Sequence, residues 1–176
     1  MAKDWVLGTC YYPEHWDESL WRDDLRRMLE NGIEVIRIAE FAWSKIERYE
    51  GVFNYDFFDR FLDVAADMGM KVIFCTPTAT PPAWLTEKYP EVLNANMDGV
   101  LYRHGGRRHY NYNSPKYQEL TRIIVEKSAS HYAKHPAIIG WQIDNELNCE
   151  KNEFYSESDT IAFRKFLMEN MEALMH

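Results

Sequence analysis

The chain has 176 residues, 46% hydrophobic and 27% charged, the balance of an ordinary globular domain rather than a disordered tail. Lys plus Arg is 20 against 28 Asp plus Glu, a formal net charge of −8, and an acidic chain repels phosphate backbones, which argues against nucleic acid as a partner. No apolar run is long enough to cross a membrane, and Met1 to Trp5 lacks the apolar core of a secretory signal, so the expected location is the cytoplasm with no membrane partner.

Cys10, Cys75 and Cys149 lie far apart and are odd in number, so neither a disulfide framework nor a zinc spacing can be read from them. Aromatic residues reach 15%, with 6 Trp and 11 Tyr. Two readings of that excess stay open: a well-packed core, or flat faces that stack on pyranose rings.

In chain order, Val6 to Cys10 reads as a strand ended by Tyr11-Tyr12-Pro13. Asp17 or Ser19 caps a helix starting near Leu20, in which Trp21, Leu25, Met28 and Leu29 recur at helical spacing until Asn31-Gly32 stops it. Glu34 to Ile38 is a second strand, followed by the loop Ala39 to Ser44. Asp56 is the expected cap of a helix burying Phe57, Phe58, Phe61, Leu62, Ala65 and Met68, ended by Gly69. Lys71 to Thr76 is a third strand, stopped by Pro77, Pro81 and Pro82.

The stretch from Tyr89 to Asn113 shows little periodicity and reads as a long functional loop holding Arg103, His104, Arg107, Arg108 and His109. Ser114-Pro115 opens a helix through Tyr117, Leu120, Ile123, Ile124 and Tyr132. Ala137 to Ile143 is a fourth strand. Ser156-x-x-Asp159 resembles a capping box before a last helix with Ile161, Phe163, Phe166 and Leu167.

Four strand–helix units with apolar strands indicate an α/β fold with a parallel sheet. Two architectures accommodate them: an open doubly wound sheet, or part of a (β/α)8 TIM barrel. The turn after the first strand, Gly8 to Glu14, carries no G-x-G-x-x-G, and no P-loop lysine occurs, which disfavours a nucleotide fold. A complete barrel needs about 250 residues, so only about the first four βα units would be present.

Chemistry in a barrel sits at the C-terminal ends of the strands. Those ends read Tyr11, Glu14, His15 and Trp16; then Glu40, Phe41 and Trp43; then Thr76 to Trp84; then Asp144-Asn145-Glu146. Carboxylates, amides and aromatics dominate. Trp141 to Asn148 is the sharpest element: a carboxylate leaving a buried strand suits a general acid, and low dielectric would raise its pKa. An adjacent amide suits a sugar 2-hydroxyl. The same pair also fits a solvated helix-capping carboxylate. Simple alternation points Asn145 and Glu146 to opposite faces, unless the strand ends or twists there.

Gly8 to Trp16, Ile36 to Ser44, Glu50 to Phe57, Thr76 to Leu85, Arg108-His109-Tyr110 and Ile139 to Glu146 form an ordered set of motifs spread along the chain. With them the chain resembles the N-terminal part of a glycoside hydrolase family 42 β-galactosidase. The resemblance implies a (β/α)8 catalytic domain and a retaining, exo-acting β-galactosidase acting on terminal β-D-galactosides. It further implies that Glu146 is the acid/base, that Asn145 is its substrate-binding neighbour, and that Arg107 binds sugar. No cofactor is needed. Tyr11, Trp43 and Trp84 are assigned to packing.

The departures bear equally on function. The family's nucleophile is a second glutamate near the seventh strand, and neither Glu14 nor Glu40 matches it. Many members carry a zinc-binding cysteine cluster, one position of which aligns with Asn111; only Cys149 remains nearby, so no metal is expected. The tail from Met168 to His176 departs from the family pattern. The whole of 1–176 is expected to be one partial-barrel catalytic domain, a fragment with little or no activity alone. The rival expectations are a non-catalytic galactoside-binding module and a half-barrel that self-associates through its exposed edges.

Overall fold

The computed structural model describes residues 5–106, 108–147 and 153–174. They divide into two compact units, Met1–Thr80 with Val125–Asn145, and Pro81–Ile124 with Glu146–His176.

The first unit is built on a parallel sheet. Strands β1 (Leu7–Cys10), β2 (Ile33–Ile38), β5 (Lys71–Cys75) and β6 (Ile138–Gln142) lie in the order β1-β2-β5-β6, while β3 (Glu47–Tyr49) and β4 (Val52–Phe53) form a separate antiparallel hairpin. This order decides between the two architectures. A doubly wound sheet reverses direction and leaves its first strand central; here each parallel strand is added beside the one before it, as in a barrel wall.

Alternation along β2 explains the layering. Ile36 and Ile38 are fully buried and sit in register with Val72 and Phe74 of β5, which are also buried. Arg37 between them takes the opposite face, opposite Cys10 of β1 and Ile73 of β5. The apolar side receives α1 (Trp21–Glu30) and α3 (Asp56–Asp67). Phe58 meets Phe74 at 5.7 Å, and Trp21 packs edge-on against Phe57 and Phe61 at 5.2 and 5.1 Å. Phe58, Phe61 and Phe74 are fully buried, and each such side chain stabilises the fold by about 1.5–3 kcal/mol.

Helix ends follow local chemistry. The Asp17 carboxylate accepts from the Ser19 backbone N–H at 2.9 Å, ahead of α1. At the start of α3 the cap is not Asp56: Asp56 is itself the first helical residue, and its N–H donates to Oδ1 of Asn54 at 2.9 Å. A carboxylate in the first turn is favoured by the helix dipole without serving as the cap. The short α2 (Trp43–Ile46) begins inside the expected loop 39–44, and the β3–β4 hairpin follows it where no element was assigned. Gly51, at φ +78, makes the hairpin's turn, and the Glu47 carboxylate holds the turn by accepting from the Gly51 N–H and from Trp43 Nε1, both at 2.8 Å.

In the second unit the described residues of 89–113 are held together by their own backbone. Bridges Leu93–Tyr110 and Ala95–Leu101 tie it together, as do bonds from Asn94 N to His109 O and from Asn111 N to Val92 O, both 2.8 Å. Helix α4 (Ala83–Lys88) precedes it. Helix α5 (Pro115–Tyr132) begins in this unit, with Pro115 as its first residue and the Ser114 hydroxyl accepting from the Tyr117 N–H, as predicted. Helix α6 (Glu157–Leu174) has its expected box, the Ser156 N–H donating to Asp159 Oδ2 at 3.0 Å. The apolar residues of this helix are not buried: Ile161, Phe163 and Phe166 are all exposed. Periodicity identifies an apolar face but says nothing of what covers it.

Candidate active site

In the first unit the C-terminal strand ends carry a connected polar network. Glu40, two residues past β2, is 1% exposed. Its Oε2 lies 2.9 Å from Arg37 Nε, and its Oε1 accepts from Arg37 Nη2 at 3.0 Å and from the Tyr12 hydroxyl at 2.6 Å. The bond to Glu40 pushes the Tyr12 phenol up to about 12, because ionisation would set two anions side by side. Burial, with Glu40 beside it, pushes the Cys75 thiol up to about 12. Arg37 also donates to Gln142 Oε1 at 2.7 Å and to Cys10 Sγ at 2.9 Å.

Beyond β6 the strand pattern stops. Asp144 is buried; its N–H donates to Thr76 Oγ1 at 2.7 Å, and its Oδ2 accepts from the Thr78 hydroxyl at 3.0 Å. Asp144 has φ +55 and Glu146 φ +45, so the alternation rule no longer governs where Asn145 and Glu146 point. Among the described residues, left-handed backbone outside glycine occurs at Ala39, Arg108, Asp144 and Glu146. Ala39 directly follows β2, and Asp144 and Glu146 follow β6. Such conformations cost about 1–3 kcal/mol each and gather where function demands a geometry the chain would not otherwise choose.

Glu146 falls in the second unit. Its carbonyl oxygen accepts from Arg108 Nη2, and the buried Arg108 also donates to the hydroxyls of Tyr110 and Tyr112. The Glu146 side chain is exposed, not enclosed in the low-dielectric pocket that sequence reasoning expected. Asn145 is half-buried and accepts on Oδ1 from Gln142 Nε2 at 3.3 Å. Arg107 lies outside the described residues, as does Cys149. Asn111 is fully buried: its amide donates to Ser156 Oγ, to Ser158 Oγ at 2.9 Å and to Asp159 Oδ2 at 2.7 Å. Among the described residues no three His, Cys, Asp or Glu side chains are grouped so as to hold a metal, and no helix is long and apolar enough to cross a membrane.

Tyr11 and Trp43 are buried packing residues, as expected, and Trp84 is half-buried. Sequence reasoning passed over Arg37, and it named Arg108 and the stretch holding Gln142 without giving either side chain a role. The first had a readable signal: an arginine between Ile36 and Ile38 must face away from the apolar layer, into the strand face that a barrel turns inward.

A parallel sheet whose strands advance in sequence order, with carboxylates and amides at their C-terminal ends, defines a partial (β/α)8 barrel. The β-galactosidase model of glycoside hydrolase family 42 matches residues 10–176, and the chain belongs to that family. It is 41% identical over 162 residues to a β-galactosidase of Halorubrum lacusprofundi, covering 92% of this chain and 23% of that protein. It is 46% identical over 144 residues to a β-galactosidase of Thermus thermophilus, covering 82% and 22%. Among solved structures, β-galactosidase from the psychrophilic Marinomonas ef1 superposes with a TM-score of 0.91 at 42% identity, covering 94% of this chain and 26% of that one. The chain thus spans about a quarter of the length of the relatives it matches.

Proposed function

We propose that this chain supplies the acid/base part of a retaining β-galactosidase acting on terminal β-D-galactosides. The observation that carries the reading is the position of Glu146: just past the C-terminal end of β6, in left-handed backbone, within a chain of this family. Glu146 protonates the glycosidic oxygen as the bond to the anomeric carbon breaks, then takes a proton from the water that releases galactose. Asn145 and Arg107 bind the sugar, with Asn145 on its 2-hydroxyl. The nucleophilic carboxylate, which must lie about 5–5.5 Å from the acid/base in a retaining enzyme, is assigned to no residue of these 176. Residues 1–176 act as one partial-barrel catalytic domain, cytoplasmic and without a cofactor, and the chain alone turns over little or no substrate.

The test is a chimera in which this chain replaces the matching quarter of the Halorubrum lacusprofundi enzyme. Glu146→Gln lowers turnover of a galactoside with a poor leaving group by about 10²–10⁴-fold, and far less with a dinitrophenyl leaving group, which departs without a proton. Equal losses on both substrates, or none, refute the assignment. A second reading, self-association, is favoured by the sheet, which among the described residues has β1 and β6 as its edges, with Leu7 and Ile139 exposed.

A further inference from the structure

An amide offers a ligand two unlike atoms, a carbonyl oxygen that accepts and an NH₂ that donates, and a half-turn of the side chain exchanges them. Which atom of Asn145 is offered is decided by the groups behind it. Glu40 is a buried carboxylate held by Arg37. A guanidinium only donates. Arg37 Nη1 lies 2.7 Å from Gln142, so the Gln142 atom facing it must be the acceptor Oε1. The Gln142 NH₂ is thereby turned the other way, 2.9 Å from the Asp144 carbonyl oxygen and 3.3 Å from Asn145. The Asp144 carbonyl only accepts, which fixes the same orientation independently. An NH₂ only donates, so Asn145 must turn Oδ1 toward it. Nδ2 of Asn145 is then the atom left over, and among the described residues it has no acceptor.

We propose that Gln142 is a positioning residue that sets the amide polarity of Asn145, so that a sugar substituent meets Nδ2 as a hydrogen-bond donor. This rests on the reading of Asn145 as the residue that binds the sugar. The chain Glu40–Arg37–Gln142–Asn145 alternates acceptor and donor at every step, and reversing any link would set like against like. The site therefore selects for an acceptor at the 2-position of the sugar. A hydroxyl oxygen accepts the Nδ2–H; a protonated amino group has no lone pair to offer and is refused.

The test compares galactose with galactosamine, by calorimetric titration of the 176-residue chain at about pH 6, where an amine of this kind carries its proton. The native chain prefers galactose by about tenfold or more, the size of one donor left facing a donor. Gln142→Met removes the polar constraint without adding charge, lets the Asn145 amide rotate, and moves the preference toward parity. Gln142→Glu keeps the acceptor facing Arg37, presents an acceptor to Asn145, and moves the preference toward galactosamine.

An unchanged preference in both variants, each shown folded by circular dichroism, overturns the proposal while leaving Asn145 as the sugar ligand. A native chain that binds neither sugar, or whose galactose affinity survives Asn145→Ala, overturns the reading of Asn145 itself and the proposal with it. Should the variants fail to fold, side-chain amide resonances of the native chain decide. Galactose shifts the Asn145 Nδ2 protons and leaves the Gln142 Nε2 protons in place if the proposal holds; the converse pattern overturns it.

Discussion

Replacing Arg37 by Met tests whether the strand-end network holds the sheet together. Arg37 makes two contacts to the Glu40 carboxylate, at 2.9 and 3.0 Å, and one each to Gln142 and Cys10. Without it, Glu40 stays buried with the Tyr12 hydroxyl at 2.6 Å and the Cys75 thiol at 3.7 Å. Breaking a buried ion pair from one side costs about 3–5 kcal/mol. Arg37 is 31% exposed on its side chain, so water offsets part of that loss, and we expect about 2–3 kcal/mol. For a domain of this size that lowers Tm by about 4–12 °C. Glu40→Gln alone is expected to cost about 1–2 kcal/mol. The double variant should cost less than the sum, with a coupling energy of about 1.5 kcal/mol or more. Urea unfolding followed by tryptophan fluorescence supplies all four corners of the cycle. Additivity within about 0.5 kcal/mol would show that the pair contributes nothing through its own interaction and would refute the reasoning.

Burial raises the Glu14 carboxyl above its usual range, and among the described residues Glu14 Oε2 has no hydrogen-bond partner. The folded value therefore lies above the unfolded one. The fold favours the protonated form, and stability falls as pH rises from about 4.3 through the folded value. Glu14→Gln removes this loss, so its Tm should fall less than that of the native chain on raising the pH through this window; parallel curves would contradict the assignment. Asn111→Ala strips partners from Ser156, Ser158 and Asp159 and should cost about 2–3 kcal/mol. The loss should appear as faster hydrogen exchange in the first turn of α6, and unchanged protection there would mean that the cluster does not anchor the helix. The exposed Leu7, Ile139, Phe163 and Phe166 predict an apparent mass by light scattering that rises with concentration and drops in Phe163→Glu/Phe166→Glu. A monodisperse monomer at all concentrations would end the self-association reading.

What could be read from the residues alone was whatever local physics dictates. The apolar run Val72 to Cys75 and the alternation Ile36-Arg37-Ile38 specify strands because each places its apolar side chains on a face that can be covered. Ser114-Pro115 and Ser156-x-x-Asp159 specify helix starts because the orphan N–H groups of a first turn need acceptors within reach of the chain itself. The end of the fourth strand ahead of Asp144 was legible for the same reason: a strand's end is a sequence-local event.

Tertiary structure decided everything that depends on residues distant in sequence. The advance of β1, β2, β5 and β6 in order, which distinguishes a barrel wall from a doubly wound sheet, is a matter of which edge each strand joins. Arg37 reaches Gln142 across 105 positions, and Arg108 reaches the Glu146 carbonyl across 38. The apolar periodicity of α6 specified a helix but not a neighbour, and its face is exposed. Hydrogen-bond polarity and burial are properties of the partner as much as of the residue, so they exist only once the fold has brought the two together.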